Sequence, residues 1–407
     1  MSSNETTLDK TTFAPAMLGS TPGVTLTFAA LIYAFSIVLI DIAPFFVGIY
    51  VDRFSLSLSQ AGIALTVDQA GGVLGAIAGF FLMPRIRWRA LIVFASLVGT
   101  VANVLTAFAS GYTELLFIRF CSGFGVVLVT TVSACILARA VSPDRMFGLG
   151  LAIAMGLSAL AVVLLDWLRI HYGSAASLAS GAFWMGLALL LSPFMSAHVG
   201  HIVQESSGQE SAPSLDSTKT MGITALVALG LFGLSVNVVY GFVERVSLAN
   251  GLDQSGVASA LALGYIFSAG GSLIPTIFGA VGGRTRWIFL TTVVFLASLT
   301  GLYLANTVSL YTLAFACYAS AWNMGLAYYM SLVSDNDPEH HFTRAMYIVN
   351  VAMQSIGPAI AAVALVGAPL KIVFVIAPIP AIFAALLVGV ISARHQSSDP
   401  INREPST

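Results

Sequence analysis

Charge is scarce in this chain. Only 9% of its 407 residues are Asp, Glu, Lys or Arg, whereas 57% are hydrophobic. An ordinary soluble domain carries about 25% charged residues. No soluble fold can bury that much apolar surface, so the composition excludes a water-soluble globular protein and favours one that is embedded in a lipid bilayer. The formal net charge of −1 and the lack of a long basic tract argue against a nucleic-acid partner.

Motifs for catalysis and metal binding are also missing. The three cysteines, Cys121, Cys135 and Cys317, all lie inside apolar runs and are interpreted as small core residues. The six histidines fall in predicted loops or at the ends of apolar runs, and neither H-E-x-x-H nor a nucleophile elbow occurs. A membrane-embedded enzyme is therefore a remote alternative, and we predict no cofactor and no metal site.

Long apolar runs are abundant. Crossing a hydrocarbon core of about 30 Å takes about 20 residues of helix, and twelve runs are long enough: 24–50, 58–83, 89–109, 112–138, 147–168, 174–196, 221–243, 255–279, 287–306, 309–333, 344–367 and 370–393. Residues 197–220 are rich in Ser, Gln, Glu and Gly and predict a linker. We expect an all-α membrane protein with twelve transmembrane helices in two pseudo-symmetric six-helix bundles, 1–196 and 221–407.

One unit of the sequence occurs twice, about 195 residues apart. Gln60-Ala61-Gly62 begins an apolar run that ends at Arg85-Ile86-Arg87-Trp88, and Gln254-Ser255-Gly256 begins another that ends at Arg284-Thr285-Arg286-Trp287. Such a repeat is typical of a two-halved transporter. The two basic loops are either topology anchors or contacts between helices, and the sequence favours neither.

The distribution of basic residues predicts the orientation. Twelve of the Lys and Arg residues fall on the side that carries both termini and four on the other side. The positive-inside rule therefore places both termini in the cytoplasm. We expect a multi-pass protein of the plasma (cell inner) membrane, and a monomer whose partners are lipid, protons and a small-molecule substrate.

Three charged residues lie within predicted spans. Asp41 and Asp68 lie at similar depth in the first and second spans, and Arg119 in the fourth can reach the same layer. An ionised side chain near the bilayer centre costs roughly 2.5–3.5 kcal/mol. An acid that faces Arg119 stays charged, whereas a second acid in apolar surroundings can accept a proton near neutral pH. The predicted role of the three residues is proton coupling; the alternative is a static ion pair.

The second half has no acidic residue in the middle of a span. Its polar groups there are neutral amides and aromatic rings, which can bind an amphipathic organic molecule by stacking and hydrogen bonds. The predicted substrate-binding residues are Asn237, Tyr240, Tyr318, Trp322, Asn323, Asn350 and Gln354.

The fourth span contains a recognisable pattern. Arg119-Phe120-Cys121-Ser122-Gly123-Phe124-Gly125 matches R-x-x-x-G-x-G. With its twelve spans, polar linker and two-fold repeat, the chain resembles the major facilitator superfamily of secondary transporters over essentially its whole length. The resemblance implies that Arg119 lines a central cavity together with the first, seventh and tenth spans, and that it is associated with proton coupling.

Two other signatures of that family are incomplete here. The loop pattern G-x-x-x-D-R-x-G-R-R keeps Gly79 and the basic residues Arg85, Arg87 and Arg89 but lacks the acid. The drug-antiporter pattern of the fifth span is absent, because no proline follows its glycines. The missing acid argues against the usual charge relay of this loop, and the missing span-five pattern makes drug efflux the less favoured interpretation.

The sequence thus predicts a secondary active transporter that moves a small organic solute by alternating access, in symport with protons. Scarce buried positive charge argues against a polyanionic solute, because each phosphate needs cationic partners. A neutral amphipath or a monocarboxylate, aromatic compounds included, fits better. The alternative is a proton-coupled antiporter that expels drugs or toxic metabolites.

Overall fold

The computed structural model of the chain describes residues 22–56, 58–195, 215–240, 242–243, 246, 250–252, 254–337, 341–364 and 369–398. Within these ranges the backbone forms helices and turns and no strand. The predicted all-α class is confirmed.

The first half of the chain forms six helices within the described residues. They are α1 (Pro22–Phe54), α2 (Leu58–Leu82), α3 (Trp88–Thr106), α4 (Tyr112–Leu137), and the two limbs of the segment Pro143–Leu191, which are α5 (143–172) and α6 (174–191). The limbs are separated by Gly173, whose φ of 83° lies in a region that residues with a Cβ avoid. A single glycine therefore replaces the longer loop that the sequence predicts between the fifth and sixth spans.

The second half repeats this arrangement in its described residues. Its long helices are α7 (Leu215–Tyr240), α8 (Gln254–Phe278), α9 (Arg284–Leu304), α10 (Val308–Asp335), α11 (His341–Ala364) and α12 (Pro378–Ser398). Two short helical turns, Leu370–Ile372 and Val373–Ile376, precede α12. Most of the predicted linker lies outside the described residues. Its last six residues, 215–220, belong to α7.

Ten segments of the described chain are long and apolar enough to cross a membrane. They correspond to every long helix except α10 and α11, which are long enough but more polar. These two helices carry five of the predicted substrate-binding residues, namely Tyr318, Trp322, Asn323, Asn350 and Gln354. A helix that faces other helices or a polar cavity tolerates such residues, whereas one that faces lipid does not.

The two halves pack in the same way. In the first half α2 packs on α4, α3 packs on α4, and α1 packs on α5. In the second half α8 packs on α10, α9 on α10, and α7 on α11. Because each contact in one bundle has its counterpart six helices later, the repeat seen in the sequence is also a repeat of tertiary packing.

The halves meet along two lines of contact. One line joins α5 to α8, and the other joins α2 to α11. The loops between α2 and α3, α4 and α5, α8 and α9, and α10 and α11 lie at the end of the molecule where α6 and α7 approach the linker. We call this end the linker face and the other end the opposite face.

Close packing of α2 against α4 requires glycine. A Cβ on Gly71 would collide with the carbonyl oxygen of Phe120, and a Cβ on Gly123 would collide with the carbonyl oxygen of Asp68. Glycine lets two backbones in a membrane approach closely enough for van der Waals packing to hold them. This contact also brings Asp68 against α4, which carries Arg119.

Two glycines offer a matched test of this packing. Gly71→Ala should lower stability by about 1–3 kcal/mol, because the new methyl group meets a backbone carbonyl that cannot rotate away. In Gly186→Ala, on α6, the added methyl group would have no atom within 4 Å. This substitution should leave stability unchanged or raise it by about 0.5–1 kcal/mol. The measurement is the melting temperature of the purified protein in detergent. Equal melting temperatures for the two variants would contradict the packing described.

Candidate functional site

Arg119 forms a buried ion pair with Asp68. Its Nη2 atom lies 2.8 Å from Asp68 Oδ1, and the two side chains are 3% and 14% exposed. The Nη1 atom donates to Asn103 Oδ1 over 3.1 Å, and the guanidinium lies 5.5 Å from the ring centroid of Phe46. Residues from α1, α2, α3 and α4 therefore surround this one positive charge and compensate it.

Asn103 is oriented by its own hydrogen bonds. Its Nδ2 atom donates to the carbonyl oxygen of Gly99 over 2.8 Å and to Ser122 Oγ over 3.0 Å. The amide oxygen is thus left to face Arg119. The network that fixes the guanidinium spans three helices, so Arg119 has a defined position before any substrate binds.

Asp41 has a different environment. Ser158 on α5 donates its hydroxyl to Asp41 Oδ2 over 2.7 Å. No Lys, Arg or His nitrogen of the described residues lies within ion-pair distance of this carboxylate. The sequence places Asp41, Asp68 and Arg119 in one layer without deciding which acid meets the base. In the structure Arg119 pairs with Asp68, and Asp41 is partly exposed without a cation.

Aromatic residues of the second half lie across from Asp41. The hydroxyl groups of Tyr240 on α7 and Tyr265 on α8 are 2.7 Å apart, and both tyrosines lie within electrostatic range of Asp41. The ring of Trp322 on α10 packs edge-to-face against Tyr240 with 5.0 Å between centroids. We call Asp41, Ser158, Tyr240, Tyr265 and Trp322 the central cluster. It joins an acid of one half to aromatic rings of the other.

Three of the predicted substrate-binding residues bond within the second half. The hydroxyl of Tyr318 donates to the carbonyl oxygen of Val236 over 2.8 Å, and the whole side chain is buried. The Nδ2 atom of Asn323 donates to Ser268 Oγ, and that of Asn237 donates to the carbonyl oxygen of Gly233 over 2.8 Å. The structure thus places Tyr318 and Asn323 at contacts between helices and turns the Asn237 amide nitrogen toward its own helix.

Two predicted residues on α11 keep their amides available. Asn350 is 7% exposed and faces Gly233 on α7, and its amide forms no hydrogen bond with a described residue. Gln354 lies one turn further along α11, is partly exposed, and likewise bonds to no described residue. These two amides can therefore offer donors and acceptors to a ligand without breaking an existing contact.

The sequence alone does not single out Ser158 or Tyr265. Both lie in apolar spans, one as a serine among many and the other as a tyrosine of the kind that often marks a helix end. Only the lateral arrangement of α1, α5, α7 and α8 reveals that these hydroxyl groups face Asp41 and Tyr240. No local signal in the sequence reports that arrangement.

The family model described as Major Facilitator Superfamily matches residues 26–362. This match covers well over half of the chain. The chain belongs to the major facilitator superfamily. Its members are transporters rather than enzymes, so the predicted family and the prediction that the protein is not an enzyme are confirmed.

Solved structures of the major facilitator superfamily share the fold. The proton:xylose symporter XylE, bound to 6-bromo-6-deoxy-D-glucose, superposes with a TM-score of 0.70 at 14% identity, covering 91% of this chain and 94% of the symporter. The transporter FucP in the outward conformation superposes with a TM-score of 0.68 at 13% identity, and the match covers 90% of this chain and 98% of FucP. At these identities the likeness concerns the fold alone. No curated protein matches the chain in sequence.

In this member of the superfamily an ion pair joins the halves at the linker face. Arg284 at the start of α9 places Nε 2.7 Å and Nη2 2.6 Å from the carboxylate of Asp144 at the start of α5. It also pairs with Asp335 at the end of α10. We call Arg284, Asp144 and Asp335 the latch. Asp144 is fully buried, so its charge depends on Arg284 for compensation.

Further bonds between the halves surround the latch. Ser334 Oγ donates to the carbonyl oxygen of Ala138 over 2.6 Å. Cys135 Sγ lies 3.6 Å from the carbonyl oxygen of Thr343. The hydroxyl oxygens of Tyr33 and Tyr347 are 2.6 Å apart. Arg344 lies over the ring of Phe80 at 5.2 Å. All of these contacts lie in the half of the molecule next to the linker. The structure therefore shows the linker face closed.

The two copies of the basic loop share one contact and differ in another. Trp88 Nε1 donates to the carbonyl oxygen of Met83 over 2.9 Å, and Trp287 Nε1 donates to that of Val281 over 2.8 Å. Arg85, however, donates to the Phe81 carbonyl of its own helix, whereas Arg284 joins the halves. Of the two roles that the sequence allows for these loops, the second copy supplies a contact between helices.

Arg85 therefore provides a matched control for the latch. In a Cys121→Ala, Cys317→Ala background, Cys135 is the remaining thiol, and it is buried at the linker face. Arg284→Gln should make Cys135 react with a membrane-impermeant thiol reagent at least about tenfold faster, because an unpaired buried Asp144 destabilises the closed state. Arg85→Gln should leave the rate unchanged. Equal rates for the two variants would show that the latch does not hold the linker face.

Proposed function

We propose that this transporter moves a small, uncharged, amphipathic organic solute by alternating access, in symport with a proton that Asp41 carries. The observation that carries the proposal is the contrast between two acids within the membrane-spanning helices. Asp68 is held by Arg119, whereas Asp41 has a serine hydroxyl and no cation among the described residues. Asp41 is therefore the acid whose charge can change without breaking an ion pair.

Protonation of Asp41 supports alternating access through its effect on charge. An acidic or basic residue near the bilayer centre costs roughly 2.5–3.5 kcal/mol on insertion scales, and neutralising its charge lowers that cost. Closing the cavity around a charged, unpaired Asp41 is thus unfavourable, and closing it around the protonated form is not. Proton entry down a membrane potential supplies about 2.3 kcal/mol per 100 mV for each charge. Coupling requires that the closed intermediate with solute bound form only when the proton is bound as well.

The charges of the described site favour a neutral solute over a monocarboxylate. The side chain of Arg119 is 3% exposed, and its guanidinium binds Asp68 and Asn103. A carboxylate would find no free cation there and would instead meet Asp41. Aromatic rings and the free amides of Asn350 and Gln354 suit a molecule with an apolar face and a few hydroxyl or amide groups.

The orientation and the coupling direction belong to the same proposal. We place the linker face in the cytoplasm of a cell inner membrane, because it carries most of the basic residues. The protein then acts as a monomer that takes up its solute from the opposite side. The antiport alternative uses the same acid but predicts that an inward proton gradient drives the solute out of the cell.

The aromatic part of the site can be tested with a panel of ligands. Uncharged aromatic amphipaths should raise the melting temperature of the purified protein, and their carboxylate analogues should not. For the best compound, Trp322→Leu should weaken binding about fivefold, since an aromatic contact in a pocket contributes on the order of 1 kcal/mol beyond area burial. Trp167→Leu is the control, because Trp167 is 46% exposed and stacks on His171. Stabilisation by carboxylates alone would contradict the proposed solute class.

Asp41 can be tested with the same compound in proteoliposomes. Asp41→Asn should abolish uphill uptake driven by a pH gradient and should spare exchange, because the neutral side chain no longer needs a proton to cross. Glu114→Gln is the matched control, since Glu114 is an exposed acid that bonds to Ser110. Asp68→Asn should instead lower stability by leaving Arg119 unpaired. Unchanged uphill uptake in the Asp41 variant would overturn the assigned role, and solute loss under the same gradient would establish antiport.

A further inference from the structure

Ser158 departs from the usual behaviour of hydroxyl side chains in this chain. Serine and threonine in membrane helices commonly donate to a carbonyl of their own helix, one turn back. Thr130, Thr131, Ser272 and Ser331 all do so, over 2.8–3.1 Å. Ser158 is fully buried, yet its hydroxyl leaves its own helix and donates to the carboxylate of Asp41 on α1.

We infer that Ser158 is the positioning residue that sets the proton affinity of Asp41; this inference rests on the proposed function. A donated hydrogen bond stabilises a carboxylate more than it stabilises the protonated acid. Ser158 therefore opposes protonation of Asp41 and favours release of its proton. Without this donor, Asp41 would hold its proton at higher pH and couple poorly.

The other groups that face Asp41 cannot replace Ser158. Tyr33 on α1, Tyr240 on α7 and Tyr265 on α8 lie within electrostatic range of the carboxylate. The hydroxyl of Tyr33 is bonded to that of Tyr347, and the hydroxyls of Tyr240 and Tyr265 are bonded to each other. The charged groups on α2 and α4, Asp68 and Arg119, compensate each other. Ser158 is the hydroxyl seen to reach Asp41 among the described residues.

The position of Ser158 on α5 also links Asp41 to the boundary between the halves. Gly148, on the same helix, lies so close to α8 that an added Cβ would approach the carbonyl oxygen of Ser272 at 2.7 Å. Proton binding at Asp41 changes the bond to Ser158, and the helix that carries Ser158 forms part of the α5–α8 contact. The hydroxyl thus stands between the proton site and a surface that must rearrange when the transporter changes state.

The test is a pH titration of the protein in lipid nanodiscs without solute, with protons as the only ligand. Infrared difference spectra follow the carboxylic-acid C=O band, which is assigned to Asp41 by its loss in Asp41→Asn. In Ser158→Ala the midpoint of this band should move to higher pH by about one unit, a roughly tenfold gain in proton affinity. Ser158→Thr keeps the donor and should titrate as the natural protein does. The pH at half-maximal uphill uptake should shift in the same direction.

The outcomes separate this inference from the proposed function. An Asp41 band with an unmoved midpoint in Ser158→Ala would overturn the role of Ser158, whatever Asp41 does in transport. Unchanged uphill uptake in Asp41→Asn would overturn the proposed function, even if the infrared midpoint shifts. If Ser158→Ala does not fold, Ser158→Cys keeps the size with a weaker donor. An intermediate shift then supports the role, and no shift overturns it.

Discussion

The absence of water from the hydrocarbon core is the constraint on which the rest of this structure depends. Leaving a polar group unpaired against lipid there costs several kcal/mol, so each one must bind a partner in the protein or face a water-filled cavity. Most hydroxyl groups of this chain meet the requirement locally, as Thr130 and Thr131 do on α4. Side chains that reach another helix are therefore informative. They mark the contacts that define how the helices are arranged.

The same constraint applies to charged groups, because burying an unpaired charge costs more than burying an unpaired neutral polar group. Arg119 carries a positive charge among the helices of the first half, and Asp68, Asn103 and Phe46 surround it. Because the arginine is compensated within its own bundle, it gives the central region no net positive charge. Asp41 is the acid left over from this pairing. A carboxylate without a cation is costly in a membrane protein, which is the physical reason to assign it a role that changes its charge.

Much of the fold follows from the sequence because helix length and hydropathy are local properties. The predicted spans 58–83 and 112–138 end within one residue of α2 and α4. The pairing of Arg119 with Asp68 rather than Asp41 is not local. It depends on which helices are neighbours, and the sequence does not distinguish two acids that lie at similar depth in their spans. The same reason hides Ser158, Tyr265 and the partner of Arg284.

The two halves share a scaffold, but different contacts hold the two sides of the closed linker face. Trp88 and Trp287 make the same loop contact, so the scaffold of the two halves is shared. On the α2–α11 side the halves meet through Arg344, whose guanidinium lies over the ring of Phe80. On the α5–α9 side, separation would strip the buried Asp144 of its partner Arg284.

Opening of the linker face is costly on the α5 side, because it leaves the carboxylate of Asp144 without Arg284. The helix that supplies Asp144 to the latch also carries Ser158, the hydroxyl bound to Asp41. Movement of α5 thus changes the environment of the unpaired acid and the strength of the inter-half ion pair together. The same helix therefore joins the residue bound to Asp41 to the ion pair that holds the linker face.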